Sequence, residues 1–167
     1  YLELTGLNPF EVKALTPKQL RSLWFRGGFP ESYGSLDDTQ SSEWRQNFIR
    51  TYVERDIPML GPRIPATTLF RFWTMLAHVQ GETLNSSKLA GSLDVKSVTV
   101  SRYVDLMADL LLVRKLLPWF GNTKKRLVKS PRVYIRDSGI LHELLHIPSH
   151  DQLLSHPVVG KSWEGFV

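Results

Sequence analysis

Several short patterns in this chain carry residue types that could do chemistry. His142-Glu143-Leu144-Leu145-His146 matches H-E-x-x-H, in which two imidazoles one helical turn apart hold zinc and the glutamate acts as base. His150 or Glu164 would have to supply a third ligand. Pro148 ends any such helix just after His146, and few residues follow to build a substrate cleft. The competing reading is an amphipathic turn that buries Ile140, Leu141, Leu144 and Leu145. Gly160-Lys161-Ser162 ends like a phosphate-binding loop. The glycine that such a loop needs five residues before Gly160 is Ser155, however, and Pro157 lies between them. No apolar strand precedes it, so nucleotide binding there is excluded. Asn85-Ser86-Ser87 is formally a glycosylation acceptor, but the sequence shows no secretory signal to make it one.

The stronger signal is a polar and basic set. Lys96, Ser97, Thr99 and Arg102 fall at the N-terminal end of what reads as a recognition helix, where such side chains reach base edges in the major groove. Lys124, Lys125, Arg126 and Lys129 fall in a hairpin placed where a wing tracks the phosphate backbone. Residues 110–136 hold 8 basic residues and no acid, which leaves 13 basic against 16 acidic residues elsewhere. The basicity is therefore a local patch, and local patches attract phosphates or acidic surfaces. Asp105 and Asp109 lie on the same exposed face and would repel phosphate. Contact with duplex DNA and a scaffold or protein-interaction role stand side by side, because a fold does not settle a function.

Composition sets the bounds. A chain of 167 residues buries a core without staples. It has no cysteine, which removes disulfides, thiolate nucleophiles and cysteine-held zinc, and it fits a reducing cytoplasm. No apolar run approaches the roughly 20 residues that span a bilayer, so no membrane role is expected. The sequence starts without Met and stops within an amphipathic stretch, so a piece of a longer protein is expected.

The elements that must position these residues read as mainly α. Residues 1–60 form a helical part. Pro9 would sit in a first helical turn, Thr16-Pro17 opens a helix that Gly27-Gly28 ends, and a longer helix runs from Ser42 to Met59. Leu60-Gly61-Pro62 marks a boundary. Residues 61–137 read as a winged helix-turn-helix. In it Leu69, Phe72, Trp73, Leu76 and Ala77 face a core, Ser86 and Ser97 cap the next two helices, and Val100, Val104, Met107 and Leu111 share a buried face. A short β-hairpin follows, with strands within 112–119 and 132–136. Residues 138–167 read as a connecting helix and the start of a further unit.

Read in order, LWFRGGFPES, WRQNFIRTYVERDIP, LNSSKLAGSLDVKSVTVSRYVDLMADLLLVRKLLPW, KKRLVKSPRVYIRDSGILHELL and HPVVGKSWEGFV resemble prokaryotic AAA-type ATPases whose C-terminal domain is similar to a restriction endonuclease. The resemblance implies an ATPase core upstream, with ATP and Mg as cofactors of the parent protein and none in this segment. It implies a nuclease-like domain downstream, with Glu164 in its first helix. It also makes Arg26 a candidate for communication with the ATPase core, and the helix after Asp137 a plain connector. The expected function is that of a non-catalytic winged-helix segment binding duplex DNA. The alternatives are a connector without DNA contact and, more remotely, a zinc hydrolase.

Overall fold

A computed structural model describes residues 5–13, 16–59, 64–118 and 130–167. The fold is mainly α, with one small antiparallel sheet. Helix α1 (Pro17–Arg26) starts as the sequence predicts. Thr16 Oγ1 accepts from Gln19 N–H at 3.2 Å, the Gln19 side chain accepts in return from Thr16 N–H, and Pro17 occupies the first turn. It stops at Gly27, whose φ of 86° favours glycine. The short α2 (Pro30–Tyr33) falls between the two helices expected from the sequence. Helix α3 (Asp38–Thr51) begins earlier than the expected Ser42, because Asp37 accepts from Gln40 N–H and caps it. It continues through a π-helical turn (Tyr52–Asp56) into α4 (Ile57–Met59). Around Pro9 there is no helix. Asn8 Oδ1 instead accepts from Phe10 and Glu11 N–H and closes an Asx turn.

Three helices and a hairpin follow: α5 (Ala66–His78), α6 (Ser86–Leu93), α7 (Ser97–Asp109), β1 (Val113–Leu116) and β2 (Arg132–Ile135). Asn85, not Ser86, caps α6 by accepting from Lys88 N–H at 3.0 Å. Ser97 is the first residue of α7 and not its cap; Lys96 takes that place without a side-chain bond. Asp94, with φ 54°, makes the left-handed turn between the two helices. The five core positions expected on α5 are buried, as are Val100, Val104 and Met107 on α7. Leu111 is not: the helix has ended, φ there is 59°, and the side chain is 46 % exposed.

Strands β1 and β2 pair antiparallel, with Val113 opposite Ile135 and Leu116 opposite Arg132. On the other edge of β2, Thr83 bridges Arg132, flanked by bonds from Gly81 N–H to Val133 C=O and from Leu84 N–H to Pro131 C=O. Strand alternation sets Val133 and Ile135 on the core face and Tyr134 on the other, yet Tyr134 is buried as well. Helix α10 (Val159–Phe166) lies over the sheet there, and a Cβ on Gly165 would meet the Tyr134 ring at 3.2 Å.

The segment expected to be a connector is the centre of the molecule. All seven residues of α8 (Ser138–Leu144) are buried, against α1, α3, α5, α10 and β2. One apolar cluster runs from Trp24 and Phe25 through Phe72 and Trp73 to Leu141, Leu153 and Val158. Asp137 joins the parts. Its carboxylate accepts from Ile140 N–H at 2.8 Å, capping α8, and from Gly28 N–H at 2.7 Å, anchoring the end of α1. Gly139 lies against the same backbone, and a Cβ there would stand 2.0 Å from the Arg26 carbonyl oxygen. Helix α9 (His150–Ser155) completes the fold.

Gly139→Ala is therefore expected to cost about 3 kcal/mol, since the obstruction is backbone and cannot swing aside. Gly160→Ala on α10, where a Cβ meets nothing within 4 Å, is expected to be close to neutral. Urea unfolding of the two variants checks the contrast.

Candidate nucleic-acid interface

Lys96, Ser97 and Arg102 are exposed, and Thr99 is half-buried by the first turn. Lys124, Lys125, Arg126 and Lys129 lie outside the described residues. Asp105, expected to oppose phosphate, is held by Lys115 of β1 at 2.5 Å, which neutralises it and fastens the hairpin to the helix. Asp109 remains exposed. Val98, on the same helix, is 62 % exposed.

Between the N-terminal ends of α6 and α7 and the start of β2 lies a shallow groove of about 640 Å³. Six hydroxyl side chains line it: Thr83, Ser86, Ser87, Ser97, Ser101 and Ser130. Of these, sequence reasoning assigned only Ser97 to the interface. Ser101 lies one turn further along α7, the rest come from separate segments, and the Thr83–Arg132 pairing that brings Thr83 to the hairpin leaves no local pattern in the sequence.

The H-E-x-x-H residues are used otherwise. His142 is fully buried. Its Nδ1 lies 2.9 Å from the Phe25 carbonyl oxygen, to which it donates, and its Nε2 accepts from Ser162 Oγ at 2.7 Å. Trp24 Nε1 donates to the same hydroxyl at 2.9 Å. Glu143 pairs with buried Arg45 at 3.2 Å and also accepts from Ser42 and Gln46. His146 is exposed in a left-handed turn. With both His142 nitrogens and the Glu143 carboxylate committed, the zinc reading is overturned; the expected burial holds for Ile140, Leu141 and Leu144, with Leu145 half-buried, but the helix is central and not a surface turn. The pattern is instead the polar part of the core. Ser162 of the Gly160-Lys161-Ser162 pattern sits within α10, bound to His142.

The chain matches the family described as Domain of unknown function (DUF8612) over residues 17–151. It belongs to that family. It is 46 % identical over 166 residues to an uncharacterized protein of Mycobacterium tuberculosis (strain ATCC 25618 / H37Rv). It is equally similar to an uncharacterized protein of Mycobacterium bovis (strain ATCC BAA-935 / AF2122/97). Each match covers 99 % of this chain and 38 % of the relative. No solved structure matches it.

These matches overturn the resemblance to AAA-type ATPases, since the family found is DUF8612 and the relatives carry no ATPase designation. The roles that resemblance implied fall with it. Arg26 is spent within the fold, paired with Asp38 at 2.7 Å and donating to the Ser35 carbonyl oxygen at 2.6 Å. Glu164 accepts from Tyr134 Oη and Lys161 Nζ, both at 2.8 Å. Those contacts hold its carboxyl below its ordinary range. Among the described residues no helix is long and apolar enough to cross a membrane.

The buried His142 ring makes stability depend on pH. Desolvation, offset in part by the Phe25 carbonyl, lowers its pKa from 6.5 to about 4. Between those values the unfolded chain binds a proton that the folded chain refuses. The stability from neutral His142 is thus complete above about pH 6.5 and is lost as pH falls towards 4, a total on the order of 3 kcal/mol. Urea unfolding across that window is expected to show the loss, and His142→Gln, which cannot titrate, to flatten that part of the slope.

Proposed function

We propose that this chain is a winged helix-turn-helix module that binds duplex DNA through α7 and the β1–β2 hairpin. The observation that carries the reading is the order α5, Thr83 bridge, α6, α7, β1, β2, with Lys96, Ser97 and Arg102 facing solvent at the front of α7. That order supports a winged helix, in which the short segment after the first helix pairs with the last strand and the third helix enters the major groove. The hydroxyl groove beside α7 supports phosphate contact, since hydroxyls and helix N-termini supply many of the bonds that position a protein on a duplex. The Lys115–Asp105 pair removes one of the two like charges that would oppose approach. Lys96 and Ser97 are assigned to base edges or phosphates at the helix start and Arg102 to a base edge, with Thr99 held in reserve by its partial burial. Lys124, Lys125, Arg126 and Lys129 are assigned to the backbone. A cysteine-free sequence suits the reducing cytoplasm in which such a module would work.

A second reading rests on Val98. An exposed β-branched apolar side chain on α7, together with Leu117 at 77 % exposure after β1, favours a protein partner over a phosphate surface.

Fluorescence anisotropy with a labelled duplex separates the two. DNA binding is expected to weaken steeply with added salt. Lys96→Ala and Arg102→Ala are each expected to weaken it by roughly 1–3 kcal/mol. Val98→Asp is expected to remove self-association or partner capture if the second reading holds. Absence of duplex binding at low salt overturns the first.

A further inference from the structure

A second cleft, of about 710 Å³, opens on the other face of the hairpin. Strand residues alternate between faces, so Lys115 points to α7 while Arg114 and Leu116 line this cleft. Phe29, Phe48 and Tyr52 also line it. These rings belong to a ladder. Trp44 stacks on Phe48 at 5.3 Å and Phe48 on Tyr52 at 5.3 Å, each at low interplanar angle, while Phe29 tilts onto Phe48 at 4.8 Å. Among the described rings Tyr52 meets Phe48 alone, so the stack ends at a half-buried ring in the cleft wall.

Tyr52 is also the first residue of the π-helical turn. Such single turns within α-helices recur at functional sites, because the extra residue re-aims a side chain at some cost in helix stability. The two carboxylates in the cleft lining are already engaged. Asp137 accepts from backbone N–H groups, and Glu164 is held by Lys161 and Tyr134, with Arg132 at 3.6 Å. Arg114, in the same lining, is exposed.

We propose that this cleft binds a nucleotide unit, its base stacked on Tyr52 as the next rung of the ladder and its phosphate against Arg114. Stacking on an aromatic ring suits any base, since every base has a π-face, and the guanidinium supplies the fork that a phosphate needs. The unit is either a free nucleoside monophosphate or the 5′-phosphorylated end of a single strand. The proposal does not depend on duplex binding by α7, whose residues lie on the other side of the sheet.

Calorimetric titration of the chain with AMP and with 5′-phosphorylated octathymidylate tests it. Saturable binding of AMP identifies the free nucleotide as ligand, and binding of the oligomer alone identifies the strand end. In either case Tyr52→Leu is expected to weaken binding about tenfold and Tyr52→Trp to retain it. Arg114→Glu, at an exposed position, is expected to weaken binding by about tenfold while leaving thermal unfolding unchanged. Duplex binding is expected to survive Tyr52→Leu. No binding of either probe at millimolar concentration, or binding that Tyr52→Leu or Arg114→Glu leaves intact, overturns the proposal.

Discussion

Everything in this fold hangs on a close approach between two backbones, the end of α1 and the start of α8. Gly27 and Gly139 leave no side chain in the gap, and the Asp137 carboxylate spans it to the Gly28 N–H. Burial pushes that carboxyl up, while backbone N–H groups of Ile140, Gly28 and Gly139 pull it down. A carboxylate so placed does two structural tasks: it caps the central helix and fixes where the preceding unit docks. A longer side chain at Gly27 would run into the carboxylate itself, within 2.2 Å of Oδ1. The approach is therefore specified by exclusion as much as by attraction.

Once α8 is held there, its polar residues must be satisfied inside the core. Glu143 meets Arg45 of α3, whose guanidinium also bonds Ser41 and lies 5.7 Å from the Phe25 ring centre. His142 meets the α1 carbonyl on one side and Ser162 of α10 on the other. Replacing such groups with apolar ones of similar shape need not weaken a protein, but removing one partner strands the other in a medium that solvates it poorly. Each polar bond thus selects one docking of α1, α3 and α10 on α8 over neighbouring ones that hydrophobic contact alone would tolerate.

This explains which parts were legible in the sequence. The helices carried local signals. Thr16-Pro17 announced α1, and the spacing of Leu69, Phe72, Trp73 and Leu76 announced α5. The exposed polar front of α7 followed from the same periodicity. What local pattern cannot carry is pairing between distant segments. The phrases around Gly27-Gly28 and Asp137-Ser138-Gly139 were visible, but not that they touch. His142 and Glu143 were visible as chemistry-bearing types, yet their meaning depended on Phe25, Arg45 and Ser162, between 20 and 117 residues away. Alternation at Tyr134 failed for the same reason, because the cover on that face comes from α10.

The same distinction bears on function. The surface of α7 is built from residues that do not hold the core, since Lys96, Ser97, Val98 and Arg102 are exposed while Val100, Val104 and Met107 carry the packing. A helix so divided can vary its outer face without disturbing what it supports. The hairpin is divided in the same way. Val113 and Ile135 join the core, Lys115 reaches α7, and Arg114 faces the aromatic cleft. Because strand geometry assigns alternate residues to opposite faces, one short sheet presents two separate faces. A substitution at Arg114 or Lys115 therefore acts on one surface and spares the other.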